Sequence, residues 1–204
     1  MNRRFVLFLM FACATFAQAP KPDDYRGGLV TPPLPKPSFI LTDTSGRRFD
    51  FAAVTKGYVT LLFFGYTYCP DPCPMHMANL SAALKKLPPG TADHVKLVFV
   101  TTDPARDTPS MLRRWLDAFD RHFIGLTGTE QAIAGVQRMA GVPVATRSGP
   151  ANGSYAVNHA NFVLAHSKHD LAHVIYPGGA SKDDWVHDLP LLINEIWAHP
   201  GEEH

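Results

Sequence analysis

Two continuous apolar runs, residues 58–66 (YVTLLFFGY) and 95–103 (VKLVFVTTD), constrain the fold more than any other feature of this chain. Runs of this length, rich in β-branched and aromatic residues, are typical of strands buried on both faces of a sheet. The segment between them places four apolar residues at helical spacing, Met77, Leu80, Leu84 and Leu87. A helix that connects two such strands implies parallel pairing, with helices packed on the faces of the sheet.

The remaining segments predict an α/β fold of the thioredoxin-like, three-layer kind, with a mixed sheet, an N-terminal hairpin and an inserted helix. The N-terminal hairpin is predicted over residues 39–51 with a Ser-Gly turn, and a second hairpin over 160–176 closes the sheet. Between the hairpins we predict a helix from Pro109 capped by Asp107 or Thr108, a short strand at 123–128, a helix over 129–141 ended by Gly141, and an Asn-Gly turn at 152–153. After the second hairpin we predict a last helix, capped by Ser181 and kinked or interrupted at Pro190.

The N-terminal residues predict export. Residues 1–17 begin with the basic MNRR and continue as a short apolar run, which is typical of a signal peptide or a membrane anchor. Residues 18–37 are rich in proline and predict a stiff linker, residues 38–199 a folded domain, and residues 200–204 a tail. We expect a periplasmic protein, either released by cleavage or tethered to the inner membrane.

The charge of the chain argues against nucleic-acid binding. The formal net charge is +1, and no stripe of Lys and Arg is interleaved with aromatic residues. Proteins that bind nucleic acids carry such basic patches.

Two of the three cysteines, Cys69 and Cys73, lie four residues apart in CPDPC, directly after the first buried strand and at the start of the next helix. The carboxyl ends of strands in open α/β sheets carry ligand and redox sites, and a helix N-terminus lowers the pKa of a thiol. Three interpretations remain open: a structural disulfide, a redox pair and a metal clamp. The CxxxC spacing is one residue longer than in thioredoxin-like redox enzymes, and a disulfide across so short a loop would constrain the unfolded chain little.

The available ligands narrow the kind of metal. Structural zinc sites take four ligands, usually from two paired motifs, and the sequence has no second paired Cys/His motif. Two thiolates with one imidazole form a soft, low-coordinate ligand set. Such a set favours copper, in particular Cu(I).

Three blocks of the sequence resemble the signature blocks of the Sco/SenC family: FFGYTYCPDPCP, VTTDPARDTPSMLRRWLDAFDRHFIGLTG and YAVNHANFVL. These are membrane-associated, thioredoxin-like copper proteins that help assemble the binuclear copper centre of cytochrome c oxidase. The resemblance runs from about Ser38 to Trp197. It departs from the family at Tyr68, where His is frequent, at Pro72, where a β-branched residue is usual, and at Asn158, where Asp is common.

The resemblance implies that Cys69, Cys73 and His159 bind a copper ion, Cu(I) and/or Cu(II). It also implies that Asp103 and Asp107 tune the thiols or contribute to partner docking. The alternative for Asp107 is an ordinary helix cap.

The implied function is that of a metallochaperone that delivers copper to the copper-centre subunit of cytochrome c oxidase. A thiol reductase would keep the cysteines reduced, and another periplasmic copper chaperone is a further expected partner. Two alternatives stay open: a thiol–disulfide oxidoreductase that reduces the recipient's cysteines, and a copper or redox sensor. We therefore expect a binding protein rather than an enzyme, with thiol–disulfide oxidoreductase activity as the alternative.

Topology, rather than spacing, predicts that His159 reaches the cysteines. In a thioredoxin-like sheet the first strand of the closing hairpin runs antiparallel to the strand at 58–66, so its beginning lies beside the end of that strand. The other histidines of this hairpin, His166, His169 and His173, are interpreted as solvated. His76 is interpreted as an exposed helical residue with a transient role at most, and Met75 as an occasional copper contact.

Overall fold

The two apolar runs form neighbouring parallel strands at the centre of the sheet, as predicted. The structure is a computed structural model that describes residues 24–149 and 155–194. Val59–Gly65 pairs in parallel with Val95–Thr101, from Val59 opposite Val95 to Gly65 opposite Thr101. Every residue of the first of these strands is buried, which explains why its sequence lacks polar alternation.

The described residues form ten strands and five α-helices. In chain order they are β1 (Gly28–Pro35), β2 (Ile40–Asp43), β3 (Arg48–Asp50), α1 (Phe51–Thr55), β4 (Val59–Gly65), α2 (Pro72–Leu84), a 3-10 helix (Ala92–His94), β5 (Val95–Thr101), α3 (Pro109–Asp117), β6 (Ile124–Thr127), α4 (Glu130–Met139), β7 (Thr146–Ser148), β8 (Ala156–Asn158), β9 (Phe162–His166), β10 (Leu171–Pro177) and α5 (Lys182–Ile193).

Eight of these strands form one mixed sheet in the order β1-β10-β9-β4-β5-β6-β2-β3, and β7 and β8 form a separate two-stranded ribbon. The β4–β5 and β5–β6 pairs are parallel, whereas β9 runs antiparallel to β4. The ends of β4 and β5 and the beginning of β9 therefore meet at one edge of the sheet. Both predicted hairpins, β2–β3 and β9–β10, are confirmed.

Helices cover both faces of the sheet, which confirms the three-layer arrangement. One core joins alternate residues of β4 to α2, α3 and α5; its members include Leu61, Phe63, Met77, Leu116 and Trp185. The other core joins the opposite face to α1 and α4; its members include Phe51, Leu62, Phe64, Ile133 and Val136. Among the described helices, none has both the length and the apolar character needed to traverse a bilayer.

The expectation of a linker over residues 18–37 is wrong for residues 28–35. This segment is strand β1, which pairs antiparallel with β10. β10 would otherwise leave a row of unpaired backbone groups at the edge of the sheet. The prolines that suggested a linker are tolerated because β1 is itself an edge strand, where a missing N–H need not break a ladder.

Smaller differences concern helices and turns. Helix α1 and the β7–β8 ribbon were not predicted, since both are only a few residues long. Helix α5 continues through Pro190 to Ile193, so Pro190 does not interrupt it. The predicted segments 1–17 and 200–204 and the Asn-Gly turn at 152–153 lie outside the described residues.

Candidate metal centre

The two cysteines lie where β4 passes into α2. Cys69 is in the loop that follows Gly65, and Cys73 is the second residue of α2. A Cβ atom added at Gly65 would lie 2.8 Å from the Sγ atom of Cys73. The absence of a side chain at this strand end therefore lets the sulfur pack against the backbone of the sheet. Both cysteines are free thiols; Cys73 is fully buried and Cys69 is 7% exposed.

His159 lies opposite the cysteines, as the topology predicted. It stands three residues before Phe162, the first residue of β9, and Val163 of that strand pairs with Phe63 near the end of β4. Its Nε2 atom is 3.8 Å from the Sγ atom of Cys69 and 3.5 Å from the Sγ atom of Cys73. The three donor atoms all lie within 4.8 Å of one another, which makes them a candidate metal-binding cluster.

The imidazole of His159 is held in the tautomer that a metal ligand requires. Its Nδ1 atom lies 3.0 Å from the backbone carbonyl oxygen of Ala160. A carbonyl oxygen can only accept, so Nδ1 carries the proton and Nε2 presents a lone pair to the sulfurs. The rings of Phe63 and Tyr66 contact the imidazole edge-on, with centroids 6.0 and 5.6 Å away, and restrict its rotation.

The pKa values of the two thiols are shifted in opposite directions from that of an ordinary cysteine. A hydrogen bond from the thiol of Cys73 is the largest cause that lowers the pKa of Cys69, to about 4, and the backbone N–H groups of Cys73 and Asp71 add to the decrease against an opposing effect of burial. Burial, together with the nearby charge of Cys69, raises the pKa of Cys73 well above its usual value. At neutral pH the site therefore holds one thiolate and one thiol.

Asp107 fixes the loop that carries Cys69. Its carboxylate is fully buried and accepts hydrogen bonds from the backbone N–H of Thr67 (3.0 Å), the hydroxyl of Thr67 (2.5 Å) and the hydroxyl of Thr101 (2.6 Å). Burial is the main cause that raises its pKa, and these hydrogen bonds oppose that effect. The helix-cap alternative is wrong, because the hydroxyl of Thr108 caps α3 by accepting from the N–H of Met111.

Asp103 supports the segment that leads to His159. Its buried carboxylate forms an ion pair with Arg106 and accepts a hydrogen bond of 2.8 Å from the hydroxyl of Tyr155. The guanidinium group of Arg106 lies 3.7 Å from the centroid of the Tyr155 ring and donates a hydrogen bond to the backbone carbonyl oxygen of Tyr155. Tyr155 directly precedes β8, which ends one residue before His159. Both aspartates are buried: Asp107 binds the loop that carries Cys69, and Asp103 binds Tyr155 in the segment that leads to His159.

The other predicted histidines differ from expectation. His76 is buried rather than exposed, because it packs on Phe63 of β4, and His166 is buried because it is the last residue of β9 and lies between β4 and β10 in the sheet. Burial lowers the pKa of His166 to about 3. His169 is exposed as expected, whereas His173 is only partly exposed and burial lowers its pKa. Met75 is exposed on α2.

Sequence reasoning missed the residues that support the donor atoms. Thr67 and Tyr155 have partners 40 and 52 positions away in the chain, and Thr101, six positions from its partner Asp107, belongs to no recognisable motif. The one available signal was a strand-terminal glycine, Gly65, in a run of large residues, which indicates close approach of another group.

A thioredoxin-like fold with a CxxxC loop and a facing histidine defines a class of thiol proteins suited to binding a soft metal ion. The sequence model of the SCO1/SenC family matches residues 31–194, and the chain belongs to that family.

Relatives and solved structures agree with this assignment. The mitochondrial protein SCO2 of Saccharomyces cerevisiae is 37% identical over 127 residues, which cover 61% of this chain and 41% of the relative. An SCO2-like protein of Rickettsia felis is 38% identical over 125 residues, covering 61% and 60%. The chain thus spans about half the length of the curated relatives it matches.

Two solved structures are similar over most of this chain. The apo Sco1 protein of Thermus thermophilus, solved in solution, has a TM-score of 0.74 at 31% identity and covers 83% of this chain and 97% of its own. ScoI of Bradyrhizobium japonicum, solved with copper bound, has a TM-score of 0.69 at 30% identity and covers 78% and 99%.

Proposed function

We propose that this protein is a copper metallochaperone that binds one copper ion through Cys69, Cys73 and His159 and delivers it to the binuclear copper centre of cytochrome c oxidase. The observation that carries the proposal is the convergence of two sulfur atoms and one imidazole nitrogen within 4.8 Å at one edge of the sheet. The copper-bound state of the similar ScoI of Bradyrhizobium japonicum supports copper as the ion. The recipient is the one that the family resemblance implies.

The distances between the donor atoms fit a first-row metal ion. Bonds of about 2.3 Å to sulfur and 2.0 Å to nitrogen, at trigonal or tetrahedral angles, separate the two donors by about 3.5–3.7 Å. The nitrogen of His159 lies 3.5 and 3.8 Å from the two sulfurs. An ion could therefore occupy the site with little rearrangement of the side chains.

The donor set and its protonation suit copper as a cargo. Thiolates and an imidazole are ligands that favour Cu(I) over harder ions. The thiolate of Cys69 is available at neutral pH, whereas Cys73 must release its proton when the metal binds. Metal binding should therefore release about one proton from the cysteine pair.

Copper titration of the reduced protein tests the three-ligand site. We expect one copper ion per chain for the native protein and a clearly weaker complex for His159→Ala. His122→Ala is a matched control, since its side chain is exposed and not part of the three-atom cluster. An unchanged affinity and spectrum for His159→Ala would reject the three-ligand site.

Delivery would proceed by ligand exchange, in which thiols of the recipient replace those of this protein one at a time. A disulfide between Cys69 and Cys73 has no thiolate to offer, so a thiol reductase must act before copper is bound. Another periplasmic copper chaperone would supply the ion. Mixing the copper-loaded protein with the purified copper domain of the oxidase subunit tests delivery; retention of all copper by this protein would favour a copper or redox sensor.

A thiol–disulfide oxidoreductase is the second candidate, and the unequal acidity of the cysteines favours it. A thiolate at Cys69 beside a buried thiol at Cys73 is the arrangement of an attacking and a resolving cysteine. This activity needs both cysteines but not His159. Rescue of oxidase assembly in cells by His159→Ala would favour the oxidoreductase over the metallochaperone.

Export to the periplasm is also part of the proposal, and it rests on the basic start and apolar run of residues 1–17. Mass spectrometry of the mature native protein would measure cleavage or lipid attachment together with bound copper. An intact, unmodified N-terminus in a soluble fraction would contradict export by a cleaved signal.

A further inference from the structure

His76 is a buried histidine beside the metal centre. Its residue is 1% exposed, and neither ring nitrogen makes a hydrogen bond of normal geometry with the described residues. An unpaired buried polar group destabilises the folded state, so each such group in a folded protein needs an explanation. A bound ion that completes the site is one such explanation.

The position of His76 directs it towards the donor cluster. It follows Cys73 by three residues in α2, a spacing that places both side chains on the same face of the helix. Its ring packs against Phe63, with centroids 4.9 Å apart, and Phe63 also contacts the ring of His159, with centroids 6.0 Å apart. Both imidazoles thus contact the same aromatic ring near the end of β4.

The electrostatic effects of His159 and Cys69 on His76 agree with the short distance between these residues. Burial is the largest cause that lowers the pKa of His76; His159 adds to the decrease, while the amide of Asn161 and the sulfur of Cys69 oppose it. In this structure the nitrogens of His76 lie outside the cluster of three donors within 4.8 Å. A rotation of the side chain or a small shift of the first turns of α2 is needed for contact with an ion held there.

His166 provides an internal comparison. It is also buried, and its ring forms no hydrogen bond of normal geometry within residues 24–149 and 155–194. It lies opposite Thr60, near the start of β4 and away from the sulfurs at its end. Burial alone therefore does not indicate a ligand. His76 combines burial and unused nitrogens with a position one turn from Cys73.

We propose that His76 is a reserve nitrogen ligand, which binds copper as a fourth donor beside Cys69, Cys73 and His159 when the ion is Cu(II). This inference rests on the proposed function, because it presupposes copper at the three-donor site. Cu(II) favours four ligands in a tetragonal arrangement rich in nitrogen and oxygen, whereas Cu(I) is satisfied by fewer and softer ligands. His76 should therefore strengthen the binding of Cu(II) much more than that of Cu(I).

The test compares the native protein with His76→Phe and His76→Gln, and uses His122→Phe as a control at an exposed position outside the donor cluster. Replacing an unpaired buried imidazole by an apolar ring should leave folding intact; the Gln variant preserves a polar side chain if the larger ring does not fit. Copper(II) and copper(I) are titrated separately, without oxygen, into reduced protein. Electron paramagnetic resonance of the Cu(II) complex, with 15N-labelled histidine, counts the coupled nitrogens.

We expect two coupled histidine nitrogens in the native protein and in His122→Phe, and one in both His76 variants. Cu(II) affinity should fall about tenfold or more in the variants, and Cu(I) affinity less than twofold. Equal nitrogen counts and equal Cu(II) affinities in native and variant proteins would overturn the role of His76 and leave the three-ligand site standing. A native protein that binds neither ion would instead overturn the proposed function itself.

Discussion

The Nε2 atom of His159 lies 3.5 Å from the Sγ atom of Cys73, although 86 positions separate the two residues in the chain. The antiparallel pairing of β4 with β9 produces this contact, because it places the residues before β9 beside the loop after β4. Gly65, Asp107 and Asp103 then set the backbone on either side of the contact. Each of these supports can be altered separately.

Gly65→Ala should disturb the site directly. The new methyl group would lie 2.8 Å from the sulfur of Cys73 and 2.9 Å from the ring of Phe63, so the α2 start must shift. We expect the free energy of unfolding to fall by about 1–3 kcal/mol and copper affinity by about tenfold, measured by urea denaturation and copper competition. Gly135→Ala is the control, since no atom lies within 4 Å of its added Cβ; it should be neutral or stabilising. Equal effects of both changes would contradict this explanation.

Asp107→Ala should loosen the loop that carries Cys69. It leaves the N–H and hydroxyl of Thr67 and the hydroxyl of Thr101 without their acceptor, at a cost of about 1–3 kcal/mol for each donor that stays buried. Copper affinity should fall about 10- to 100-fold, as for other groups that orient metal ligands. Urea denaturation and copper competition measure both effects. The control is Asp93→Ala, which replaces an exposed acidic residue of the 3-10 helix and should change neither the stability nor the copper affinity. If Asp107→Ala left the copper affinity unchanged, Asp107 would have no role in positioning the metal ligands.

Alkylation should distinguish the two thiols by pH. The pKa of Cys69 is lowered to about 4, so its thiolate persists at pH 6, whereas an ordinary cysteine is almost entirely protonated there. The pKa of Cys73 is raised, so this residue stays a thiol. We expect iodoacetamide to modify the reduced, metal-free protein once, at Cys69, at pH 6, as measured by peptide mass spectrometry. Labelling that becomes appreciable only above pH 8, or that is equal at both sites, would contradict the assigned acidities.

His166 should weaken the fold in mild acid. Burial, with a smaller effect of Lys36, lowers its folded-state pKa to about 3, whereas the unfolded chain binds the proton near pH 6.5. Below pH 6.5 only the unfolded state gains the proton, so stability falls as the pH decreases towards 3. Between pH 7.5 and 5 the loss attributable to this group is about 2 kcal/mol.

Urea denaturation of the native protein and of His166→Leu at both pH values measures this effect. The variant should lose less stability on acidification, because it has no proton to bind at this position. Parallel losses in the two proteins would assign the acid sensitivity to other groups.

Local patterns predicted strands β2–β6, β9 and β10 and the main helices, and they placed the cysteine pair between β4 and α2. The buried strands β4 and β5 lack polar alternation because both faces are covered. Pro109 and Gly141 marked helix ends because their backbone preferences are local properties. Such features depend on residues a few positions apart, and the chain itself encodes them.

Contacts between distant segments were not predictable in this way. Prolines 32, 33 and 35 indicated a linker, but pairing with β10 made the segment an edge strand. The position of Asp107 before Pro109 indicated a helix cap. In the structure its carboxylate instead accepts hydrogen bonds from the hydroxyl groups of Thr67 and Thr101. His76 matched an exposed helical position, but α2 packs that face on β4.

The sequence by itself therefore determined which atoms could bind a soft metal and which strand and helix carry the two sulfurs. Only the tertiary structure decided that the imidazole of His159 meets them with its lone pair, and that His76 is withdrawn from water beside them. The physical reason is that spacing along the chain sets local geometry, whereas distances between distant side chains follow from strand pairing and from burial.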